Sequence, residues 1–114
     1  KQRVQFGRPL GALQVVHHYC ADMTTFLDTA RLVAYQAASL ISAGLPSAKE
    51  VAMAKAWCSD AYKKTTQVAH QLYGGIGFTE EHDLHLYYKH AKASELDFGD
   101  SWVQRQKVAA EMGI

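Results

Sequence analysis

The most constraining feature of this sequence is a long stretch without helix breakers. From Leu10 to Ala43 the chain contains no proline, and its only glycine, Gly11, stands at the start. Apolar and small residues recur in this stretch at alternating steps of three and four, the spacing of one helix face. They are Leu13, Val16, Cys20, Met23, Leu27, Ala30, Ala34, Ala37 and Ile41. The pattern predicts one amphipathic helix, about 45–50 Å long, which Gly44 and Pro46 end.

A second helix is predicted directly after this break. Ser47 and Glu50 have the spacing of a capping box, in which each side chain bonds the backbone N–H of the other residue. The apolar face of this helix is formed by Val51, Ala54, Cys58, Ala61, Thr65, Val68 and Leu72. The glycines that begin at Gly74 end the helix, because glycine readily adopts the left-handed conformation that follows helix C-termini.

Two shorter helices complete the chain. The third is predicted from Glu80 to about Ala93 with Thr79 as its N-cap, and the fourth starts near Asp100. Their apolar faces carry Leu84, Ala91 and one of Tyr87 and Tyr88 in the third helix, and Trp102, Val103, Gln106 and Ala109 or Ala110 in the fourth. No stretch alternates as a strand would. The sequence therefore predicts an all-α, antiparallel four-helix bundle in one domain, residues 1–114.

The overall composition argues against several classes of protein. The formal net charge is +1, and the adjacent basic residues Lys63 and Lys64 are predicted to lie on a solvated helix face, so no nucleic-acid surface is expected. No apolar run approaches the ~20 residues that span a bilayer, and the charged start Lys1–Arg3 is unlike a signal peptide. Cys20 and Cys58 fall on apolar faces, which predicts buried thiols in a reducing compartment.

No metal site is expected. A di-iron bundle needs the spacing Glu-x-x-His on inward faces, and that spacing does not occur. His82 and His85 lie three residues apart and could share a metal, but no third ligand accompanies them, so surface histidines are the expectation. No nucleophile-elbow pattern is present either.

Two short stretches leave a structural and a ligand-binding interpretation open. In "QLYGGIGF", residues 71–78, a glycine pair either ends a helix or lets a backbone or phosphate group approach closely. It matches no Walker or dinucleotide fingerprint, because no strand is predicted before it and no lysine follows. In "RVQFGRPLG", residues 3–11, Arg3 and Arg8 either clamp a phosphate or belong to an exposed lead-in segment.

Taken in order, several motifs resemble the C-terminal helical domain of the acyl-CoA dehydrogenases. The matching stretches are "RVQFGRPLGALQ" at 3–14, "ADM" at 21–23, "AMAKAWCSDA" at 52–61, "QLYGGIGF" at 71–78, "HAK" at 90–92 and "FGDS" at 98–101. The resemblance covers nearly the whole chain. It implies an all-α bundle that forms the C-terminal part of a longer flavoprotein.

The resemblance also implies a chemistry. Members of this family carry FAD and oxidise an acyl-CoA thioester to the trans-2-enoyl-CoA. A carboxylate removes the α-proton, and the β-hydrogen leaves as hydride to the flavin. The C-terminal domain packs against other subunits, usually in a tetramer. We therefore expect FAD as cofactor, acyl-CoA as the substrate of the full protein, and a homo-oligomer or a hetero-oligomer with related subunits, in a bacterial cytoplasm or the mitochondrial matrix.

Position by position, the resemblance implies a set of cofactor contacts. The matching positions are Arg3, Gln5, Phe6, Gln14, Gln71, Gly74, Gly75, Asp100 and Trp102. Arg3 is similar to the arginine that contacts the FAD diphosphate of a neighbouring subunit. Relatives contact flavin at the positions of Gln5, Phe6 and Gln14. Gln71 and the two glycines match the segment along the ADP portion of the cofactor. Asp100 stands at a position that contacts flavin in relatives, and Trp102 stands where a smaller polar residue often contacts FAD.

The chain departs from the family at the position of the catalytic base. Many members have Tyr-Glu-Gly-Thr, with that Glu as the base, where this chain has Asp97, Phe98, Gly99 and Asp100. Phe98 has no basic atom and cannot abstract a proton, so no catalytic residue is expected in this chain. Asp97 is adjacent but is expected to point elsewhere. Asp100 is expected to cap the last helix.

Two functional interpretations follow from the resemblance. In the first, the chain completes a neighbour's FAD site in a dehydrogenase-like oxidoreductase whose base lies upstream or on a partner subunit. In the second, it belongs to a degenerate, non-catalytic structural or heteromeric partner of such an enzyme. In both, residues 1–114 alone are expected to be inactive. They are also expected to expose the side of the bundle that other domains cover, and so to self-associate.

Overall fold

The computed structural model describes residues 3–114 and confirms the predicted helical bundle. Its helices are α1 (Gln14–Ser42), α2 (Ala48–Tyr73), α3 (Leu84–Leu96) and α4 (Ser101–Met112). A 3₁₀ helix, Leu10–Ala12, leads into α1, and another, Gly74–Phe78, follows α2. Lys1 and Gln2 of the charged start lie outside the described residues. None of the described helices is long and apolar enough to cross a membrane.

A small hairpin, which the sequence analysis did not predict, precedes α1 in the otherwise helical chain. Strands β1 (Val4–Gln5) and β2 (Arg8–Pro9) pair antiparallel. Phe6 and Gly7 connect them with φ values of 55° and 74°, the two left-handed positions of a type I′ turn. Strands of two residues are too short to produce an alternating apolar pattern, so periodicity could not reveal them.

Helix α2 is the centre of the fold, and each of the other three helices packs against it. The Trp57 indole N–H donates to Thr29 Oγ1 at 2.8 Å, and the Trp57 ring meets the Phe26 ring edge to face, which together fix α1 on α2. The molecule measures 55 × 27 × 26 Å, with a Cα radius of gyration of 17.4 Å. A compact domain of this length has a radius of gyration of about 13 Å. The bundle is therefore elongated along its two long helices.

The buried core consists mainly of small side chains. Its apolar members are Ala37, Ala52, Ala54, Ala56, Ala61, Leu84 and Ala91. Its polar members are Ser59, Thr66, His70, Glu95, Ser101 and Gln104. Alanine lets helices approach closely but removes little apolar area from water per residue. Many large apolar side chains of the described residues consequently stay exposed at the periphery.

The predicted apolar stripe of α1 is wider than its contact with α2. Four of its members are exposed: Cys20, Leu27, Ala34 and Ile41. Leu27 is 47% exposed and Ile41 59% exposed. The residues one position earlier are half-buried instead; they are Tyr19, Phe26, Val33 and Leu40. The prediction that Cys20 is a buried thiol was therefore wrong. Cys58 is half-buried, and burial raises the pKa of its thiol.

The predicted faces of the other helices were right only in part. Ala54 and Ala61 of α2 are buried, but so are polar residues on its other side, because α2 is surrounded by helices. In α3, Leu84 and Ala91 are buried as predicted. The face predicted for α4 was wrong: Trp102 is 66% exposed, whereas Ser101 and Gln104 are buried. Helix α4 packs through hydrogen-bonding side chains, and an apolar pattern cannot reveal such a face.

Two predicted helix starts also need correction. Ser47 precedes α2 as predicted, but its side chain makes no capping bond, so the capping box was wrong. The Glu50 carboxylate instead lies 3.3 Å from Lys49 Nζ. Helix α3 begins at Leu84, four residues later than predicted. The predicted cap, Thr79, bonds back to a carbonyl of the preceding 3₁₀ helix at 2.8 Å, so the chain continues in turns before α3.

Candidate functional site

The N-terminal segment and the end of α2 meet at one corner of the molecule. The Arg3 guanidinium Nη1 donates to the Tyr73 carbonyl at 3.2 Å, and the Arg3 carbonyl accepts from the Leu10 N–H at 2.8 Å. Gly74 and Gly75 directly follow Tyr73. We call Arg3, Tyr73, Gly74 and Gly75 the glycine corner. It joins the two stretches whose ligand-binding interpretation the sequence left open.

Glycine shapes the backbone of this corner. Gly74 ends α2, as predicted, with φ 65° and ψ −146°, and its N–H bonds the His70 carbonyl. A Cβ atom at Gly74 or at Gly75 would meet no other atom within 4 Å. Another molecule can therefore approach this backbone closely. Gly77 differs, because a Cβ there would lie 3.1 Å from both His70 Nδ1 and Leu84 Cδ2.

A groove of about 730 Å³ adjoins the glycine corner. It is lined by Arg3, Pro9, Leu10, Gly11, Ala12, Val16, His17, Cys20, Leu72 and Tyr73. The His17 ring Nε2 lies 2.6 Å from the Gly11 carbonyl and holds the first 3₁₀ helix against α1. The groove thus combines a mostly apolar wall with the exposed guanidinium of Arg3.

Four further predicted cofactor residues are exposed around the same end of the molecule. They are Gln5, Phe6, Gln14 and Gln71. Phe6 is 87% exposed at the tip of the hairpin. An aromatic ring held in solvent at a left-handed residue is uncommon, and such a ring suits a surface that another molecule covers.

The loop between α3 and α4 carries the remaining predicted residues. We call Leu96–Asp100 the 96–100 loop. Phe98 and Gly99 have consecutive positive φ values of 60° and 94°, and Phe98 is 91% exposed. Asp100 caps α4, as predicted, because its Oδ1 accepts from the Val103 N–H at 2.9 Å. Trp102 follows in the exposed part of the first turn of α4.

The two groups of predicted residues lie apart. Ser101 Oγ donates to Asp60 Oδ1 at 2.6 Å, so α4 starts beside the middle of α2. From Asp60 to Tyr73 an α-helix advances on the order of 20 Å, at 1.5 Å per residue. The structure therefore gathers the predicted cofactor residues in two places, one at the glycine corner and one at the 96–100 loop.

The sequence analysis missed a set of ion pairs between α2 and its neighbours. The Glu95 carboxylate of α3 accepts from Lys63 and, at 2.7 Å, from Lys92. The bond from Lys63 and, after it, the bond from Lys92 hold the pKa of Glu95 below its ordinary value. The same bond to Glu95 raises the pKa of Lys63. Asp60 of α2 accepts from Arg105 Nη2 at 2.5 Å. The solvated face predicted for the basic pair was thus wrong at Lys63, which is half-buried against α3.

Five of the six histidines contact the protein's own backbone or aromatic rings; they are His17, His70, His82, His85 and His90. His82 Nδ1 accepts from a backbone N–H at 3.1 Å, and His85 Nδ1 lies 2.9 Å from the His82 carbonyl. Among residues 3–114, no group of three His, Cys, Asp or Glu side chains is placed to hold a metal ion. His70 is buried without a hydrogen bond to the described chain and packs against the rings of Phe78 and Tyr88.

Comparisons with known proteins agree on one family. The family model of the acyl-CoA dehydrogenase C-terminal domain matches residues 1–113. An acyl-CoA dehydrogenase of Bacillus subtilis (strain 168) is 41% identical over 105 residues, which cover 92% of this chain and 28% of that protein.

Solved structures show the same relationship. Butyryl-CoA dehydrogenase from Megasphaera elsdenii superposes with a TM-score of 0.94 at 33% identity, covering 100% of this chain and 30% of that one. An FAD complex of PigA superposes with a TM-score of 0.92 at 27% identity, covering 99% of this chain and 30% of that one. The chain spans less than a third of the length of each of these proteins.

Proposed function

The chain belongs to the acyl-CoA dehydrogenase family, and from that membership we propose that it is the C-terminal helical domain of an FAD-dependent oxidoreductase. The reaction of the whole protein is the α,β-dehydrogenation of an acyl-CoA thioester. Residues 1–114 alone are inactive and contribute cofactor contacts and subunit contacts. The observation that carries the proposal is the bond from Arg3 to Tyr73, which holds a cation beside an open glycine backbone.

The residues of the glycine corner fit a diphosphate. A guanidinium has five N–H donors, so Arg3 can bond phosphate oxygens while one N–H stays on the Tyr73 carbonyl. The open space at Gly75 admits an anionic group to the backbone, and Gln71 offers a side-chain amide in the last turn of α2. We assign these residues to the ADP portion of FAD. When FAD is bound, its flavin ring would supply the acceptor for the substrate hydride.

The cofactor at the glycine corner is that of a neighbouring subunit. The hairpin residues Gln5 and Phe6, together with Gln14, extend the contact toward its flavin, and this gives the exposed Phe6 ring a partner. Asp100 of the 96–100 loop and Trp102 in the first turn of α4 contact flavin. The arrangement requires an oligomer, either of identical chains or of related subunits.

The 96–100 loop holds substrate or flavin without moving a proton. Phe98 stands where relatives have a glutamate, and its ring has no atom that can accept the α-proton. An active protein must therefore supply a carboxylate from outside residues 1–114, upstream in the same polypeptide or on a partner subunit. Asp97 does not substitute, because it is the C-cap of α3 at φ −58°, whereas Phe98 at the base position has φ 60°, so the two side chains leave the backbone in different directions.

A second candidate function is a non-catalytic partner subunit of such an enzyme. Two residues favour it: Phe98 lacks a basic atom, and Asp100 brings a negative charge to a position that contacts flavin. Arg3 and the open glycines count against it, since a purely structural subunit has no need of a diphosphate site.

The test is the absorbance spectrum of the full-length protein, purified with the product of any neighbouring gene. We expect a yellow protein with a flavin spectrum that bleaches on anaerobic addition of acyl-CoA. A flavin spectrum that does not bleach with acyl-CoAs of several chain lengths favours the non-catalytic alternative. Protein that stays colourless after incubation with FAD contradicts both flavin-binding roles.

A matched pair of variants tests the glycine corner itself. Arg3→Gln and Arg8→Gln each remove one exposed cation from the same segment. Arg8→Gln is the control, because Arg8 lies in strand β2 and is not part of the glycine corner. We expect Arg3→Gln to weaken FAD binding at least tenfold, the effect of losing a charge-assisted bond. Arg8→Gln should change it less than twofold. Equal effects of the two substitutions would show that only the net charge of the segment matters.

A further inference from the structure

The 96–100 loop holds an unfavourable backbone conformation at Phe98. A left-handed conformation strains any residue with a Cβ, and Phe98 adopts it at φ 60°. Burial of the ring does not explain this, because Phe98 is 91% exposed. The following Gly99, at φ 94°, also lacks room for a side chain, since a Cβ there would lie 3.0 Å from Val103 Cγ1. Other contacts must therefore hold the pair.

Gln104 supplies those contacts. It is only 4% exposed, although glutamine usually lies at the surface. Its Nε2 donates to the Phe98 carbonyl at 2.6 Å and lies 3.5 Å from the Gly99 carbonyl. Its own backbone N–H bonds the Asp100 carbonyl in the first turn of α4. One buried side chain on α4 thus binds the loop at the two residues with positive φ.

We propose that Gln104 is a positioning residue, which fixes the left-handed Phe98–Gly99 pair and thereby sets the direction of the side chain at position 98. The bonds run to carbonyl oxygens, so Gln104 acts in the same way on any residue at that position. We call the two bonds from Gln104 Nε2 to the Phe98 and Gly99 carbonyls the Gln104 clamp. The inference rests on the proposed function only in placing the 96–100 loop at the flavin, because the clamp itself is a property of this chain.

The clamp is tested by hydrogen exchange and mass spectrometry on the full-length protein. We expect Gln104→Leu, which keeps the volume but removes the donors, to speed exchange of the Gly99 amide about tenfold, as loss of one buried hydrogen bond does. Peptides from α1 should exchange as before. Gln106→Leu is the matched control, because Gln106 is an exposed glutamine of the same helix, and it should leave the loop unchanged.

Substitutions at position 98 separate backbone strain from the loss of the ring. In the Gln104→Leu protein, adding Phe98→Gly should return Gly99 exchange to within about threefold of the parent, because glycine adopts the left-handed conformation without steric strain. Adding Phe98→Ala should not, because alanine keeps the Cβ. If Gln104→Leu leaves the loop unchanged, or if alanine restores it as well as glycine does, the clamp is refuted.

A third experiment tests whether Gln104 sets the direction of the side chain at position 98, by placing a carboxylate there. Phe98→Glu places a carboxylate on the clamped position, and we expect acyl-CoA to bleach the flavin of that variant faster than in the parent. Adding Gln104→Leu should slow this bleaching at least tenfold, with the FAD content and the half-saturating acyl-CoA concentration within twofold. Equal rates with and without Gln104 refute the positioning role. If Phe98→Glu has no effect although the exchange results hold, the clamp stands and the placement of the loop at the flavin fails.

Discussion

Asp100 is the last residue of the 96–100 loop, and its side chain caps the N-terminus of α4. Its carboxylate accepts from the Val103 N–H, one of the donors that α4 cannot satisfy internally. We predict that Asp100→Ala lowers the free energy of unfolding by about 1 kcal/mol, measured by urea unfolding. Asp97→Ala is the control, because Asp97 is exposed at the C-terminal end of α3, where a negative charge opposes the helix dipole. It should have no effect or stabilise slightly, and an equal loss from both would argue against the cap.

Two glycines of the "GGIGF" turn give a second residue-scale prediction. Gly77→Ala should lower the free energy of unfolding by about 1–3 kcal/mol through overpacking, since its Cβ would press on His70 and Leu84 at 3.1 Å. Gly75→Ala should change it by less than about 0.5 kcal/mol, since its Cβ meets nothing within 4 Å. Thermal unfolding of the two variants compares them directly. A larger loss for Gly75→Ala would mean that the turn packs differently.

Local signals predicted some of these residues and tertiary contacts decided the others. The Asp100 cap and the Gly74 helix end depend on neighbours within a few residues, so the sequence was sufficient for both. The Ser47 capping box met the same local rule but is not formed. The close packing around Gly77 and the hydrogen bonds of Gln104 depend on residues that the fold brings together. Nothing in the sequence spacing of Gly77 or Gln104 distinguishes either residue from a surface position.

Helices α2 and α3 are joined by Glu95, and this contact predicts a dependence on pH. The pKa of Glu95 is lowered in the folded protein, so its stabilisation is complete above its ordinary pKa of 4.5 and is lost as the pH falls through the lower folded value. Glu95→Gln should therefore cost about 1–2 kcal/mol of unfolding free energy at pH 7. The difference from the parent should vanish in strongly acidic solution.

The control for this prediction is Glu80→Gln, because Glu80 is exposed in the turn before α3. It should leave stability unchanged at both pH values. The raised pKa of Lys63 sets the other limit, since its contribution is complete below its ordinary value of 10.5 and is lost as the pH rises through the higher folded value. A cost of Glu95→Gln that stays constant from pH 7 to strong acid would contradict the ion-pair explanation.

The positions of α1 and α2 were predictable from the sequence, the helix faces were predictable only in part, and the arrangement of the candidate site was not. Apolar periodicity located α1 and α2 within a few residues, because both are long and uninterrupted. It placed Cys20 and Leu27 inside because it cannot distinguish apolar residues that face α2 from apolar residues that stay exposed. The resemblance supplied the proposed cofactor residues, but only the structure joins Arg3 to the end of α2 and separates this corner from the 96–100 loop.

The whole molecule is too elongated to cover its own apolar surface. Its radius of gyration is 17.4 Å, and its core is mainly alanine, so large apolar side chains of α1 remain outside. Cys20, Leu27, Ala34 and Ile41 follow one another at seven-residue steps, which keeps them on nearly one side of the helix. A continuous apolar stripe of this kind is typical of a surface buried in an oligomer.

We therefore predict that residues 1–114 expressed alone self-associate in sedimentation velocity at micromolar concentration, and that Leu27→Lys shifts them toward the monomer by at least tenfold in dissociation constant. A lysine on the stripe must lose its hydration to be buried, which opposes association. Leu32→Lys adds the same charge to α1 at a residue that is 69% exposed and off the stripe, so it should change association less than threefold. Circular dichroism must show equal helix content in both variants. A monomeric parent, or equal effects of the two lysines, would contradict a role of the stripe in subunit contact.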